Sequence, residues 1–427
     1  MDASASSDAR PGRPTAAAAA GVLLVAALVL SIGLTRDWCL LHEDNGAFFT
    51  TLALSHLRLG LGTTRAHDML VLTETGEVHP YGHHPPGVAL LLAAAFAASG
   101  SDAPAVARGV AIAVHLGSIA LALALLGRLL PPRLATAGAL FFAVVPMSAF
   151  FGRMVGYEPF ALFPVLLQLL GWTRFRQVGG REGLGLLTAG IVVGGLIDWA
   201  PFFFAGLLAI VEALDRMAKR TPSSAALAVL LGTGAGVAAL AVAHLALAGG
   251  LVGLREVLAK NRPLGGGPPP VDFLLGQLEG FRRYFTHAGL ASAVAVALAL
   301  GRPRGGLGRA LLPDEPVLRR FLAVTALAPL AWVLAAPAWA DVHPYWKFYF
   351  LPYAATSAAL VIGTLARGVS SRPRLFRSLV ALFALEVAAT SVYMLRLRHT
   401  RPGDYAVQEV AKIRRLYLRP SRAPSAP

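Results

Sequence analysis

The sequence predicts an all-α polytopic membrane protein with about 11 transmembrane helices (range about 10–12), plus helices lying along the outer membrane face. Three observations carry this reading. The 427-residue chain is 56% hydrophobic and only 14% charged, whereas soluble domains are about a quarter charged. Its mean hydropathy is +0.62, and apolar stretches of roughly the 20 residues that span a bilayer recur along it. The arginines gather in the short connections between those stretches, as cytoplasmic loops require. The formal net charge of +15 therefore reflects membrane topology, and no nucleic-acid partner is expected. The single cysteine, Cys39, excludes an intramolecular disulfide. The Ala, Leu, Arg and Gly bias points to a GC-rich bacterial genome.

Residues 1–14 read as a disordered cytoplasmic N-terminus. Arg10 and Arg13 precede the apolar run from Thr15 to Leu34, which is long enough to span. No small-x-small cleavage site follows, so the run reads as an uncleaved anchor. Further apolar stretches lie at about 83–99, 104–127, 134–151, 158–173, 184–197, 200–215, 224–248, 284–301, 320–338, 346–366 and 378–395. Five connections are marked as cytoplasmic by their charges: Arg128 and Arg133; Arg174, Arg176 and Arg181; Arg216, Lys219 and Arg220; Arg302 through Arg320; and Arg367 through Arg377.

The five alternate with the remaining loops if every stretch from 104 onward crosses once. The anchor leaves outward at Arg36, and the stretch at 104 must start outside to bring Arg128 in. The segment 83–99, opened by Pro85-Pro86, is therefore expected to lie along the outer surface or re-enter from it, an ordinary second span being the alternative. The chain divides into a transmembrane unit 15–366 with an external loop 36–103, a final cytoplasmic loop and last helix 367–395, and a basic tail 396–427. This scheme puts the tail outside, on anionic headgroups. No sustained internal repeat is visible.

The external connections hold nearly all the unusual polar residues. His42-Glu43-Asp44-Asn45 precedes an amphipathic helix, Gly46 to Leu59. A short polar side chain there caps the helix, or a carboxylate in a cleft acts as general base toward a hydroxyl; the spacing does not separate Glu43 from Asp44. His79, His83 and His84 precede two prolines that fix the backbone. They form a rigid turn, or they bind a phosphate or an acceptor. A divalent metal held by His42, Glu43, Asp44, His79 and His83 is a candidate cofactor without diagnostic ligand spacing. Between two apolar stretches lie Arg153 and Glu158-Pro159. Glu158 complements a helix start, or it faces Asp44 across an external cleft. Trp339 to Lys347, with His343 and Tyr345, is an interfacial aromatic belt. In it Lys347 snorkels or binds an anionic phosphate. The loop 249–283 is Gly/Pro-rich at Pro263–Pro270 and carries Arg255, Lys260, Arg262, Arg282 and Arg283; it is a lid over a site or a spacer. Gly265-Gly266-Gly267 lacks the strand-to-helix context of a phosphate loop.

Taken in order, the acidic pair after the first span, "HLRLGLGTT", "YGHHPPGVALLLAAAFAASG", "ARG" at 107–109, "VPMSAFFGRMVGYEPF" and "HPYWKFYFLP" resemble the type-C membrane glycosyltransferases. The branch is that of the protein O-mannosyltransferases and lipid A aminoarabinose transferases, and the resemblance covers roughly residues 15 to 365. It implies a polyprenyl-phosphate-linked sugar donor, and a protein, lipid or cell-envelope glycan as acceptor on the outer side of a bacterial inner membrane. The family's catalytic base maps onto the pair Glu43/Asp44, with Asp44 favoured, although relatives usually read Asp then Glu. Glu158-Pro159 takes the place of a second acidic position, usually Asp-Pro. His84 takes the place before the prolines, a donor-phosphate ligand. Gly87 stands where the family's motif has Leu, and Asp198-Trp199 stands where relatives often have Lys.

The physics fits: the leaving group is a phosphate, so Lys347, Arg153 or a protonated histidine would stabilise it. Direct displacement would invert the anomeric carbon. A non-catalytic transporter or flippase of lipid-linked sugar is the alternative. It calls for paired charges near the midplane and broken helices in repeated halves, whereas the charges here lie at helix ends on one side.

Overall fold

The computed structural model describes residues 11–38, 42–72, 74–218, 224–249, 255, 269–400 and 404–417. Cys39, Lys219, Arg220 and, within the 249–283 connection, residues 250–254 and 256–268 lie outside that set, as do residues 1–10 and 418–427; residues 270–283 of that connection, expected as loop, are helical. Every apolar stretch of the sequence forms a helix. In chain order these are α1 (Ala16–Ser31), α2 (Asp44–Leu59), α3 (Leu61–Thr64), a hairpin of β1 (Met69–Val71) and β2 (Val78–Pro80), α4 (Gly87–Ser99) and α5 (Pro104–Leu129). Then come α6 (Pro132–Val144), α7 (Pro146–Phe151), α8 (Tyr157–Val178), α9 (Arg181–Gly195), α10 (Ala200–Met217) and α11 (Ala225–Gly249). The last are α12 (Pro270–Gly301), α13 (Gly306–Leu311), α14 (Pro316–Ala335), α15 (Pro337–Val342), a 3-10 helix (Pro344–Phe350), α16 (Leu351–Gly368), α17 (Pro373–Thr400) and α18 (Asp404–Tyr417). Proline opens many of them, because its missing N–H is one that the first turn leaves free anyway.

The hairpin is the one departure from an all-α fold among the described residues. It pairs Leu70 with His79 in antiparallel register.

Among the described residues, six helices are long and apolar enough to cross a membrane: Pro104–Leu129, Ala225–Leu247, Pro270–Gly301, Pro316–Ala335, Pro344–Gly368 and Pro373–Leu397. The other stretches on which the estimate of about 11 spans rests form shorter or more polar helices packed among these. Two stretches are interrupted. Val145, ahead of Pro146, is extended and separates α6 from α7, because a residue before proline is driven out of the helical region. In α12, Thr286 leaves helical geometry at φ 68°. Its hydroxyl accepts from Gly289 N, and the Glu386 carboxylate of α17 accepts from the N–H groups of His287 and Ala288. The second half of α12 thus starts as a capped helix of its own.

Helix α4 has 13 residues, about 20 Å at 1.5 Å per residue, which is short of a hydrocarbon core of about 30 Å. It packs on α2 and α5 rather than through the bundle. The interior divides accordingly. One apolar cluster fills the bundle, and a second lies beneath α2, α4 and α18, built from Trp38, Phe49, Leu92, Phe96, Phe160 and Ile413.

Helix α18 packs on α2 and β1, so the described part of the basic tail sits at the same end of the molecule as segment 36–82.

Candidate functional site

A cavity of about 590 Å³ opens at this end. Its wall draws on α2, the turn before α4, the start of α8, the α9–α10 turn, the end of α14, the segment around His343, and α18. Sequence-distant turns meet here because each is the same-side end of a bundle helix.

The adjacent carboxylates Glu43 and Asp44 are treated differently. Glu43 is buried at 3% exposure, and its Oε1 lies 3.0 Å from Arg108 Nη2 and 3.5 Å from Arg153 Nη2. Both guanidiniums are 1% exposed. They also donate to carbonyls just past the end of α1. Arg108 reaches Leu34 O at 2.9 Å, Asp37 O at 3.2 Å and Arg36 O, while Arg153 reaches Gly33 O at 3.2 Å and Ile32 O. A helix C-terminus leaves carbonyls without partners and carries partial negative charge. The two arginines satisfy that end and neutralise Glu43 together. Arg108 further lies 4.3 Å from the centroid of the Trp38 ring, a cation–π contact.

Asp44, one residue on, begins α2 and lines the cavity. Burial pushes its carboxyl above the ordinary value of 3.8, the backbone N–H groups of Asp44 and Asn45 pull it part of the way back, and the negative charge of Glu409 pushes it up again. A carboxylate that is half-buried, faces a cavity and holds its proton more tightly than usual suits proton abstraction.

The opposite wall is ordered by Asp198, which is 1% exposed. His84 Nδ1–H donates to its Oδ1 at 3.0 Å, and the Tyr349 hydroxyl donates to its Oδ2 at 2.7 Å. The His84 ring stacks on Tyr157 at 4.0 Å between centroids, and Trp199 Nε1–H donates to the His83 carbonyl at 2.9 Å. Asp198 fixes the His84 ring and leaves its other nitrogen for the cavity.

Gly87 follows the two prolines. Its N–H donates to Leu196 O at 2.9 Å, and a Cβ there would come within 2.3 Å of the same oxygen. Glycine at this position, where the resembling family has leucine, lets the histidine turn dock on the α9–α10 turn.

Glu158 is buried in the first turn of α8 and lines the cavity. His343 stacks between Trp339 and Tyr345 and shares a hydrogen bond with the Tyr345 hydroxyl at 2.7 Å. Burial, and then the charge of His84, push its imidazole down to about 4; at pH 7 it is neutral.

Asp44, His83, His84, Glu158, His343 and Tyr345 thus come together around one cavity, whereas Glu43, Arg153 and Lys347 do not line it. Lys347 is buried against α12, where a Cβ on Gly280 would stand 3.0 Å from its Nζ. The metal grouping does not assemble either. His79 sits on exposed β2 and pairs with Glu77 at 3.4 Å, the His42 ring lies among Phe150, Phe151 and Tyr345, and Glu43 is taken by arginines. Among the described residues no group of three or more His, Cys, Asp or Glu is placed to hold a metal ion.

Sequence reasoning missed Tyr349, Tyr157, Glu409 and Lys412 as parts of this site. Asp198 is visible in the sequence as a polar residue in an external turn and as a departure from the family's motif, but nothing there pairs it with His84 or Tyr349. No local signal marks Glu409 or Lys412, which sit in an ordinary amphipathic helix.

No protein-family model and no curated protein matches the chain. Solved structures do. The chain is similar to ArnT from Cupriavidus metallidurans bound to undecaprenyl phosphate, with a TM-score of 0.58 and 14% identity, over 92% of this chain and 75% of that one. It is similar to AglB from Archaeoglobus fulgidus in complex with an inhibitory peptide and a dolichol-phosphate, with a TM-score of 0.55 and 13% identity, over 95% of this chain and 56% of that one. The chain therefore spans little more than half the length of the archaeal oligosaccharyltransferase. The fold is that of the type-C membrane glycosyltransferases. At these identities the likeness reaches the fold and goes no further.

Proposed function

We propose that this protein is a glycosyltransferase that moves a sugar from a polyprenyl-phosphate donor to an acceptor hydroxyl on the outer side of a bacterial inner membrane. The observation that carries the proposal is the division of labour between neighbouring carboxylates: Glu43 is locked by two buried arginines, and Asp44 opens into the cavity. The fold likeness to ArnT bound to undecaprenyl phosphate and to AglB bound to a dolichol-phosphate supports a lipid phosphate as the donor's carrier.

In this mechanism the prenyl chain stays in hydrocarbon and presents phosphate and sugar to the cavity. Asp44 takes the proton of the acceptor hydroxyl. The acceptor oxygen forms a bond to the anomeric carbon while the bond from that carbon to the phosphate oxygen breaks. The electron pair leaves with the polyprenyl phosphate, and attack from the opposite face inverts the carbon. His84, oriented by Asp198, and His83 bind the donor beside its phosphate, and Glu158, His343 and Tyr345 bind the sugar. Arg153 contributes through Glu43 and the end of α1 rather than by contact, and Lys347 braces the 3-10 helix beside Tyr345.

The test is to incubate purified protein with a panel of polyprenyl-phosphate sugars and follow release of polyprenyl phosphate. Release by the wild type and its loss in Asp44→Asn is the expected result. No release from any donor, or an Asp44→Asn enzyme as fast as the wild type, would overturn the proposal.

A further inference from the structure

The cavity is poor in fixed positive charge. Four carboxylates line it: Asp44, Glu158, Asp198 and Glu409. Among the described residues that line it, Lys412 is the single lysine or arginine. The imidazoles do not make up the difference. His84 is tied to Asp198, so any charge it carries is met by that carboxylate, and His343 is neutral at pH 7. The buried cations nearby, Arg108 and Arg153, are engaged with Glu43 and the end of α1. An anionic phosphate entering such a cavity needs a cation that can reach it.

We propose that Lys412, on the C-terminal helix α18, is the cation that meets the phosphate of the lipid-linked donor. Its geometry suits this role. Helix α18 is held to α2 by its apolar face, with Val410 and Ile413 buried, and to the segment after α1 by an ion pair between Arg414 and Asp37. That fixes the backbone and leaves the lysine stem free. The Lys412 side chain is 54% exposed, and its Nζ stands 3.5 Å from Glu409 Oε2, one turn back. The pair is loose enough to exchange: Glu409 parks the ammonium at the cavity mouth until a phosphate replaces the carboxylate. A flexible four-carbon stem with three rotatable donors allows that exchange. The inference rests on the donor proposed above and deepens it. It also gives the basic tail a place in the site, where the sequence suggested only contact with headgroups.

The test measures binding without turnover. Full-length wild type, Lys412→Met and Lys412→Arg are titrated in detergent with a polyprenyl phosphate and, in parallel, with the matching neutral polyprenol. Loss of one charge-assisted contact is expected to weaken polyprenyl phosphate binding by roughly 10- to 100-fold in Lys412→Met. Polyprenol binding should not change, and Lys412→Arg should recover most of the loss. A Lys412→Met protein that binds polyprenyl phosphate as tightly as wild type overturns the inference, and so does equal weakening toward phosphate and polyprenol, which would make Lys412 a packing residue. If Lys412→Met binds polyprenyl phosphate normally but shows a raised KM for an anionic acceptor, the cation serves the acceptor and the inference fails. Wild type that binds polyprenyl phosphate but transfers no sugar would sink the proposed activity and leave this inference standing.

Discussion

Two neighbouring substitutions should fail in opposite ways. In Glu43→Gln the carboxylate that faces Arg108 at 3.0 Å and Arg153 at 3.5 Å becomes neutral. Two guanidiniums, each 1% exposed, then face a neutral amide where an anion stood. Breaking a buried ion pair from one side costs about 3–5 kcal/mol. The carbonyls of Ile32, Gly33, Leu34 and Asp37 stay in place and hold the loss toward the lower end of that range. Asp44→Asn removes a carboxyl that burial already disfavours as an anion. Its folded-state pKa lies above 3.8, so the charged form opposes folding at neutral pH and its removal should leave stability within about 0.5 kcal/mol, or raise it slightly. Transfer, however, should fall by about 10²- to 10⁴-fold with the base gone. The assay pairs thermal unfolding in detergent with release of polyprenyl phosphate at saturating donor. The reasoning is refuted if Glu43→Gln keeps wild-type stability but loses transfer while Asp44→Asn remains active, because the two residues would then hold each other's roles.

Other outcomes follow from the same geometry. A base works deprotonated, so the rate should fall as pH drops through a pKa above 3.8; Glu409→Gln removes a charge that raises it and should move this acid limb to lower pH, and a profile unmoved by Glu409→Gln counts against Asp44 as the titrating group. Asp198→Asn replaces the acceptor of His84 and Tyr349 with an amide that fits one of them less well; a loss of about 1–3 kcal/mol in unfolding free energy is expected, and an unchanged midpoint would contradict the pairing. Gly87→Ala places a methyl 2.3 Å from Leu196 O and should cost about 1–3 kcal/mol, with Gly87→Leu costing more; equal stability of all three would mean the two turns do not dock as described.

How much of this was legible in the sequence differs by element. The helices were, because an apolar run in lipid has one way to satisfy its backbone, and each apolar stretch did become a helix. Loop-charge parity set the segment 83–99 apart from the spanning stretches, and the helix it forms, α4, has only 13 residues. The breaks inside α12 and between α6 and α7 were not read, although Pro146 was a visible signal for the latter. For the site, His83, His84 and Glu158 could be picked out because polar groups beside hydrocarbon are conspicuous. Arg153 and Lys347 were conspicuous for the same reason, yet both point away from the cavity: one serves the carbonyls beyond α1, and the other packs on Gly280. A cation's need for a partner is visible in a sequence, but the identity of that partner is not.

The sequence by itself determined a polytopic α-helical membrane protein with its chemistry-bearing residues gathered in connections at one end, because hydropathy and charge act residue by residue. Only the tertiary structure sets Glu43 and Asp44 in different surroundings. Successive residues at a helix start point about 100° apart, so one turned toward two arginines brought from α5 and the α7–α8 turn, and the other toward the cavity. It also decided that α18 joins the wall with Glu409 and Lys412. Partners separated by tens to hundreds of residues meet through helix packing, which no local pattern records.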